Sequence, residues 1–320
     1  MGLFSLLACM SVIGFVLLCF PSLTPPLHLF LCSLLSVCYI LTLLGNMSII
    51  WAVLQDAHLS RLPMYILLGN FSWLEMCYVT TTAPRMLFDL LSAGESISFP
   101  ACFLQFYIFF SCGTSEAFFL AVMALDRYLA ICHPLRYPLL MSHRFCLTLV
   151  ASCWISGFLW FVVPIVLISR LPFCGPNLLD HFLCDPGPLL AASCAPAPLT
   201  KIVFSTVASF AIFATFLFIM GSYSAVLRAV LRLPSAEGRR KTFSTCASHL
   251  AVVSLFYGSI TATYISPNTS GGSNKVVTLF YAVMTPLFNP LIYSLRNKEM
   301  KKALKRTLLG TKGWSCPLLR

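Results

Sequence analysis

Seven long runs of apolar residues constrain the fold of this chain more than any other feature of its sequence. A helix that crosses a bilayer needs about 20 mostly apolar residues, and each of these runs is long enough. Only 10% of the residues are charged, so soluble domains of this composition would not stay in solution. The sequence therefore predicts an all-α membrane protein, a bundle of seven transmembrane helices. The predicted spans lie near residues 27–54, 63–83, 101–125, 146–169, 200–227, 243–264 and 276–295.

The net charge of +11 is distributed unevenly along the chain and indicates the orientation of the spans. If the N-terminus is outside the cell, most Lys and Arg residues fall on the cytoplasmic side, as the positive-inside rule requires. Those that remain outside are Arg85, Arg170, Lys201 and Lys275. This pattern predicts a multi-pass plasma-membrane protein with a cytoplasmic C-terminus. It argues against nucleic-acid binding, because the basic residues follow the membrane edges instead of clustering in one domain.

The chain divides into three regions on this interpretation. Residues 1–26 form an extracellular N-terminus, residues 27–295 the seven-transmembrane domain, and residues 296–320 a cytoplasmic helix and tail. The apolar stretch 2–20 has no basic leader, so we interpret it as extracellular or interfacial, and not as a signal peptide or an eighth span. Residues 297–309 alternate apolar and basic side chains in the pattern of a short amphipathic helix that lies on inner-leaflet lipids.

Two acidic residues fall inside the predicted spans. Glu75 lies roughly 18 Å into the second span and Glu116 roughly 16 Å above Arg127 in the third, counted at about 1.5 Å per residue, so their depths are similar. Two close carboxylates need a cation or a shared proton. We therefore predict a monovalent-cation or proton site, with sodium as the candidate ion and no other cofactor. The alternative is that neighbouring hydroxyls satisfy each acid separately. Further oxygens at this depth are those of Asn46, Ser72 and Asn289.

Most of the 15 cysteines lie in apolar spans, where they act as small apolar side chains. Cys174, Cys184 and Cys194 instead lie in the long loop after the fourth span, on the oxidising side. Together with Cys102, at the outer rim of the third span, they can form disulfide bonds in three alternative pairings. His181 beside Cys184 is too weak a pattern to predict a metal site.

Polar residues also mark the cytoplasmic ends of three spans. Asp126 and Arg127 follow the apolar run of the third span, where such a pair is either a functional switch or two charged side chains that reach the interface. Pro290, late in the seventh span, removes a backbone hydrogen bond and permits a bend. His249 lies near the inner rim of the sixth span, a position where a histidine is more often structural than a ligand.

Six stretches of the sequence, taken together, resemble class A G-protein-coupled receptors and the olfactory receptors in particular. They occur in the family's order and with its spacing, and the resemblance extends from about residue 13 to the end of the chain. Six motifs in order are far more specific than any one of them. The stretches are LPMYILLGNFSWLE (62–75), MALDRYLAICHPLRYP (123–138), FLCDPGPLLAASC (182–194), SYSAVLR (222–228), RKTFSTCASHL (240–250) and TPLFNPLIYSLRNKEM (285–300).

The resemblance implies a receptor and not an enzyme. Its helices would bind small volatile odorants and activate a heterotrimeric G protein of the olfactory stimulatory type, which raises cAMP. Arg127 would pair with Asp126 at rest and meet the G protein in the active state, where Tyr223 and Tyr293 would join it. The positions that match the family's coupling and switch residues are Asp126, Arg127, Tyr128, Tyr223, Asn289, Pro290 and Tyr293.

The resemblance also bears on two questions that the residues alone leave open. It implies two disulfide bonds, Cys102–Cys184 and Cys174–Cys194. Glu75 and Glu116 both match acidic positions of the family, which favours the cation site. The only glycosylation sequon in a predicted outer loop begins at Asn268. Residues 1–12 lack the sequon that the family usually has there, a departure that bears on delivery to the cell surface.

A ligand pocket follows from the same resemblance. Where amine receptors have an acid, this chain has Phe109, so a counter-ion for ammonium ligands is missing. Ser259 and Asn268 stand where the fish-like subclass has Pro and Arg, which favours the tetrapod-type subclass and neutral ligands such as alcohols, aldehydes, esters or ketones. Tyr257 would lie on the pocket floor and move with the sixth span. The predicted ligand-binding residues are Phe109, Phe110, Gly113, Thr114, Val207, Ala211, Tyr257, Ile260 and Tyr264.

Other functions are less compatible with the sequence. The alternative is a class A receptor for a non-odorant small molecule or lipid, and the stretch RKTFSTCASHL with the three-cysteine loop favours the olfactory family over it. A transporter or channel would need paired broken helices or a polar pore. An enzyme would need a catalytic motif such as a Ser/His/Asp triad, HExxH or a phosphate-binding glycine loop.

Overall fold

The computed structural model describes residues 12–92, 94–232, 235–264, 272–296 and 298–308. In this part of the chain, long helices form a bundle with a small sheet at one end. The helices are α1 (Pro25–Gln55), α2 (Pro63–Leu91), α3 (Phe99–Cys132), α4 (Tyr137–Leu140), α5 (His143–Trp160), α6 (Val162–Ser169), α7 (Pro186–Ala191), α8 (Pro198–Leu231), α9 (Ala236–Tyr264), α10 (Gly272–Arg296) and α11 (Lys298–Leu308), with a 3-10 turn at Leu59–Arg61.

Each predicted span corresponds to a long helix, and α5 and α6 together form the fourth. Within the described residues, five helical segments are long and apolar enough to cross a membrane, and Cys246–Ala262 of α9 is a shorter apolar segment. Several helices extend past the predicted apolar runs. Near the end of α2, Arg85 and Asp89 form an ion pair one turn apart, with an N–O distance of 2.7 Å, which stabilises the end of this helix.

The fourth span is interrupted at Phe161, between α5 and α6. Pro164 has no N–H to donate to the carbonyl of Trp160, four residues earlier, and its ring would clash with that carbonyl. The helix therefore ends at Trp160 and resumes at Val162. The indole N–H of Trp160 donates to the backbone carbonyl of Val207 at 3.0 Å, which fixes α8 beside the interruption.

A sheet of three strands, which the all-α prediction did not include, covers one end of the described bundle. Its central strand β1 (Gly14–Leu17) pairs antiparallel with β2 (Ser96–Ser98) and parallel with β3 (Leu178–Leu179). Phe15 and Leu17 of β1 are buried in an aromatic cluster. The N-terminal apolar stretch, from residue 12 onward, thus contributes a strand and not a spanning helix, and residues 2–11 lie outside the described part.

The two ends of the bundle carry different groups. The sheet lies at the end of the bundle where Cys102, in the first turn of α3, is bonded to Cys184. We name this end the disulfide end. The opposite end carries Arg127 and is named the Arg127 end. There Met300 and Ala303 of α11 are buried, and Arg306 pairs with Asp56 at the end of α1 at 2.7 Å. This helix has the predicted amphipathic pattern.

The central helix of the bundle is α3, which packs against α2, α5, α8 and α9. It approaches α5 closely at Gly157, where a Cβ would overlap Ser115 Oγ and lie 2.9 Å from Ser115 Cα. A side chain at Gly157 would therefore force the two helices apart. In contrast, α8 packs chiefly against α3 and α9 chiefly against α10, so α8 and α9 are only loosely joined to each other.

Candidate functional site

A cavity of about 350 Å³ lies between the helices toward the disulfide end. The described residues that line it include no Asp, Glu, Lys, Arg or His. A charged molecule would lose its hydration here without gaining a counter-ion, so the cavity suits a neutral, largely apolar ligand. The lining residues are Tyr78, Phe109, Phe110, Gly113, Thr114, Phe161, Phe204, Ser205, Ala208, Ser209, Ala211, Ile212, Phe213, Phe216, Tyr257, Ile260, Thr261 and Tyr281.

Seven of the nine predicted ligand-binding residues line this cavity: Phe109, Phe110, Gly113, Thr114, Ala211, Tyr257 and Ile260. Val207 is not among the described residues that line the cavity, whereas Ala211, one turn further along α8, lines it. The backbone carbonyl of Val207 accepts a hydrogen bond from Trp160. The side chain of Tyr264 lies outside the described part.

Residues from α2, α10 and the junction before α6 also line the cavity, namely Tyr78, Tyr281 and Phe161, and these were not predicted. On α8 the sequence carries a usable signal. Ser205 and Ser209 are polar residues four positions apart in a mostly apolar run, which indicates one helical face with a different environment.

Aromatic rings form much of the cavity wall. The rings of Tyr78 and Phe109 are stacked, with 4.7 Å between their centroids. Phe110 contacts Phe161 and Phe204 at centroid distances of 5.3 and 5.4 Å. Such pairs each stabilise packing by about 0.5–1.5 kcal/mol beyond their buried area, so this wall is preformed.

Hydroxyl groups close the floor of the cavity. The Tyr257 hydroxyl donates to Thr215 Oγ1 at 2.8 Å, and the Thr215 hydroxyl donates to the carbonyl of Ala211 at 2.7 Å. The ring of Tyr257 lies 5.2 Å from that of Phe216. Thr114 donates to the carbonyl of Phe110 at 2.8 Å. These donors are committed to the protein, so each hydroxyl oxygen remains available chiefly as an acceptor.

The long loop is tied down at the disulfide end. Disulfide bonds join Cys102 to Cys184 and Cys174 to Cys194, with Cα–Cα distances of 5.6 and 5.3 Å. These are the two pairings that the resemblance implies. The N–H of Cys184 also donates to Gln105 Oε1 at 3.2 Å. Since Cys184 is bonded to Cys102, it has no thiolate to offer a metal beside His181.

One polar side chain fixes this loop to its neighbours and another braces it from within. Lys275 of α10 is nearly fully buried; its ammonium donates to the carbonyl of Leu18 at 3.0 Å and pairs with Asp180. His181 Nδ1 accepts a hydrogen bond from the N–H of Leu183 at 3.2 Å. Burial, and then the nearby Lys275 charge, lower the pKa of His181 to about 4, so this histidine is neutral at neutral pH.

Glu75 and Glu116 are brought together at the centre of the bundle, where both are fully buried and their carboxyl groups interact. Asn289 donates to Glu75 Oε1 at 2.6 Å, and Asn46 donates to the carbonyl of Pro286 at 3.2 Å. Within the described residues, one oxygen on each of these four side chains has no hydrogen-bond donor: Asn46 Oδ1, Glu75 Oε2, Glu116 Oε1 and Asn289 Oδ1. Buried oxygens without donors are typical of a site for a cation or ordered water. Ser72, also predicted, is buried nearby on α2.

At the Arg127 end, Arg127 is paired with its neighbour Asp126. Arg127 Nε donates to Asp126 Oδ2 at 3.0 Å, and Tyr137 donates to the other oxygen of this carboxylate at 2.6 Å. Asp126 is buried, so both bonds are shielded from solvent. Tyr128 instead bonds to His133 at 3.1 Å, away from the pair.

Tyr223 is bonded to His249 and not to Arg127. His249 Nε2 lies 3.1 Å from the carbonyl of Leu120; because a carbonyl only accepts, this nitrogen carries the hydrogen. The Tyr223 hydroxyl therefore donates to His249 Nδ1 at 2.7 Å, and their rings are stacked. This network links α3, α8 and α9, and the sequence indicated His249 only as a polar residue in an apolar span.

The remaining predicted residues have varied positions. Asn289 belongs to the central acidic cluster rather than to the Arg127 pair. Pro290 packs against α1, where a Cβ at Gly45 would lie 3.1 Å from its ring. Ser259 donates to the carbonyl of Leu255. The side chain of Tyr293 and the whole of Asn268 lie outside the described residues.

Comparisons with known proteins agree with one another. The sequence profile described as "Olfactory receptor" matches residues 35–311. The chain is 59% identical over 295 residues to olfactory receptor 11G2 of Homo sapiens, covering 92% of this chain and 85% of that protein. It is 57% identical to human olfactory receptor 11H4, covering 93% and 92%. Human olfactory receptor 6Y1 is 45% identical, covering 92% and 90%.

A solved structure shares the helix arrangement. The crystal structure of squid rhodopsin matches with a TM-score of 0.72 at 18% identity, covering 91% of this chain and 88% of that one. Identity at this level carries information about the fold alone. That fold is the predicted seven-helix bundle.

Proposed function

The chain belongs to the olfactory receptor family of G-protein-coupled receptors, and we propose that it binds small neutral volatile molecules in the cavity described above. We also propose that the bound receptor activates a heterotrimeric G protein of the olfactory stimulatory type, which raises cAMP. The observation that carries the proposal is an aromatic cavity whose described lining has no ionisable group other than tyrosine. The proposed ligand-contacting residues are Phe109, Phe110, Gly113, Thr114, Ala211, Tyr257 and Ile260.

The ligand acts by favouring one of two arrangements of α9. Tyr257 is part of the cavity wall, and His249 lies about two turns closer to the Arg127 end on the same helix. His249 holds α9 against α3 and α8 through Leu120 and Tyr223. A ligand that displaces Tyr257 strains both bonds, and the Arg127 end of α9 then moves away from α3.

Movement of α9 makes Arg127 available to the G protein. In the described arrangement Arg127 is held by Asp126, whose carboxylate also accepts from Tyr137. Once α9 has moved, Tyr223 loses His249 as its partner and becomes free to bond near Arg127. We propose that this is the coupling step, and that Tyr293 takes part in it as the family resemblance implies.

We propose an orientation that the chemistry of the two ends supports. Disulfide bonds persist in oxidising surroundings, which favours an outward-facing disulfide end. The basic α11 lies at the Arg127 end, where it would face the anionic lipids of the inner leaflet. The proposed receptor lies in the plasma membrane with its N-terminus outside and its C-terminus in the cytoplasm.

We also propose that a sodium ion binds between Glu75 and Glu116. The support is the set of buried oxygens without donors on Asn46, Glu75, Glu116 and Asn289. Carboxylate and amide oxygens suit a hard monovalent cation, and the ion would separate two carboxylates that otherwise repel. The two acids belong to α2 and α3, so occupancy would stabilise the resting arrangement of these helices.

The proposed function is tested by cAMP output from cells exposed to a panel of neutral alcohols, aldehydes, esters and ketones. Arg127→Ala is expected to abolish the response at unchanged surface expression, because the G protein loses its contact. Arg144→Ala, at an exposed position at the start of α5, is the matched control and should respond normally. An unaltered response in Arg127→Ala would overturn the coupling role. Carboxylic acids and amines of matched size are added to the panel, and responses confined to these charged odorants would overturn the ligand class.

A further inference from the structure

The side of the cavity between α8 and α9 differs from its other walls. Ser205, Ser209 and Phe213 of α8 line the cavity and are also exposed, Phe213 to 56%. Thr261 of α9 lines the cavity and is exposed as well. Since these helices span the membrane, the exposed surface of such residues faces lipid and not water. The cavity is therefore open to the bilayer on this side.

The opening ends, on the side of the Arg127 end, where α8 and α9 meet. The Tyr257 hydroxyl donates to Thr215 Oγ1 at 2.8 Å, and the Tyr257 ring contacts Phe216. Nearer the disulfide end the helices part. Gly258 is three residues before Thr261, on the same face of α9, and nothing lies within 4 Å of a Cβ built there. The two helices are thus joined from this contact toward the Arg127 end and separated from this contact toward the disulfide end.

The opening lies at the depth of the lipid tails. Ser205 is about 10 Å and Phe213 about 22 Å along α8 from its first residue, Pro198, at about 1.5 Å per residue. Headgroup and interfacial regions occupy only the outermost several ångströms of each leaflet. A molecule dissolved in the outer leaflet therefore meets the opening directly.

The disulfide end offers a more obstructed path. Phe182, Leu183 and Cys184 of the loop are fully buried, and the Cys102–Cys184 bond ties them to α3. Strand β1 adds a second layer over the same loop. A molecule arriving from water would have to displace these hydrogen-bonded segments.

We propose that ligands reach the cavity from the lipid bilayer, through the opening between α8 and α9. This inference rests on the proposed function and specifies its ligands as neutral molecules that partition into membranes. The hydroxyls of Ser205, Ser209 and Thr261 make no hydrogen bond within the described part of the chain. They can therefore bond to the oxygen of an alcohol, ester or carbonyl compound as it leaves the lipid.

The access route can be tested without an odorant or a G protein. Ala211→Cys places a thiol on the buried cavity wall with the addition of one sulfur atom. Receptor in native membranes is treated with neutral N-cyclohexylmaleimide, which enters lipid, or with the permanently cationic methanethiosulfonate reagent MTSET, which stays in water. The labelling rate is measured by mass spectrometry on the peptide that contains position 211, so the native cysteines do not interfere.

The opening is then narrowed in the same background by Gly258→Leu. Gly221→Leu is the matched control, because Gly221 is an exposed α8 glycine that also has open space around it. Both changes raise helix propensity, so neither is expected to impair folding. Relative to Ala211→Cys alone, N-cyclohexylmaleimide should label position 211 about tenfold more slowly when Gly258→Leu is added and at an unchanged rate when Gly221→Leu is added. MTSET should not label position 211 in any of these variants. The larger Gly258→Trp should slow labelling at least as much.

Four results would overturn the proposal. An unchanged rate in both Gly258 variants would show that molecules arrive elsewhere, and equal slowing in Gly221→Leu would show that the effect is not local. Labelling by MTSET as fast as by the neutral reagent would show access from water. A thiol at position 211 that reacts with neither reagent would also contradict the opening. None of these readouts uses signalling, so a failed odorant screen would leave this experiment interpretable.

Discussion

At the disulfide end, Gln105, His181 and Lys275 are all buried and each has a hydrogen-bond partner, whereas at the bundle centre Glu75 and Glu116 each keep an oxygen without a donor in the described structure. The two regions lie in the same bundle and are comparably buried. They differ in whether other groups of the protein supply a hydrogen-bond partner for each buried polar atom.

A buried polar network in which every donor and acceptor has a protein partner is fixed. A network with unpartnered oxygens has room for an exchangeable ion or water molecule. The loop region should therefore respond to changes in its own covalent and hydrogen bonds. The central cluster should respond to the ions in the medium. Three measurements of stability test this distinction.

The largest effect is expected from the disulfide bonds. Cys184→Ser opens a bridge with a sequence separation of 82, and Cys174→Ser one with a separation of 20. The chain-entropy relation predicts losses of about 4–5 and about 3 kcal/mol respectively, because the longer loop restricts the unfolded chain more. Thermal unfolding of purified receptor measures both. Cys102→Ser should match Cys184→Ser, and a larger loss in Cys174→Ser would contradict the comparison.

A smaller effect is expected from acidification at His181. Its folded-state pKa of about 4 lies below the unfolded value, so the unfolded chain binds the proton first as pH falls. Stability is therefore fully present above about pH 6.5 and decreases toward pH 4, by about 2 kcal/mol at pH 5. The unfolding midpoint at pH 7 and pH 5 measures this. His181→Gln should lose most of the pH dependence, while His58→Gln, at an exposed position, should retain it.

The smallest effect is expected from sodium at the central cluster. If the ion binds there, sodium at about ten times its dissociation constant stabilises the receptor by about 1.4 kcal/mol. Thermal unfolding in sodium chloride and in choline chloride at equal ionic strength compares the two states. Glu116→Leu should abolish the difference and leave the His181 effect in place. A sodium effect that persists in Glu116→Leu would place the ion elsewhere.

The helices and part of the cavity could be predicted because local sequence determines them. The long apolar runs defined the spans, and on α3 the face above Glu116 indicated Phe109, Phe110 and Gly113, which line the cavity. On α8 the residues that line the cavity are spread over neighbouring positions, among them Phe204, Ser205 and Ala208, so no single stripe could be chosen from the sequence.

Other features depend on contacts between distant segments, which one sequence does not encode locally. Tyr78 and Tyr281 reach the cavity only because α2 and α10 pack against each other, with the two rings in contact. Strand β1 looks like any short apolar stretch until its partners in β2 and β3 are known. The interruption at Phe161 could be predicted only in part. The sequence shows Pro164, but spanning helices often accommodate proline without a break.

The central position of β1 has a consequence for biosynthesis. Its two partners are β2 and β3, and β3 is synthesised only after more than half of the chain has left the ribosome. The earliest described segment can therefore pair with β2 once two spans have been synthesised, but with β3 only after four. Completion of the sheet is then a late event in the life of a new molecule, and peptide tags fused near Gly14 act on that event.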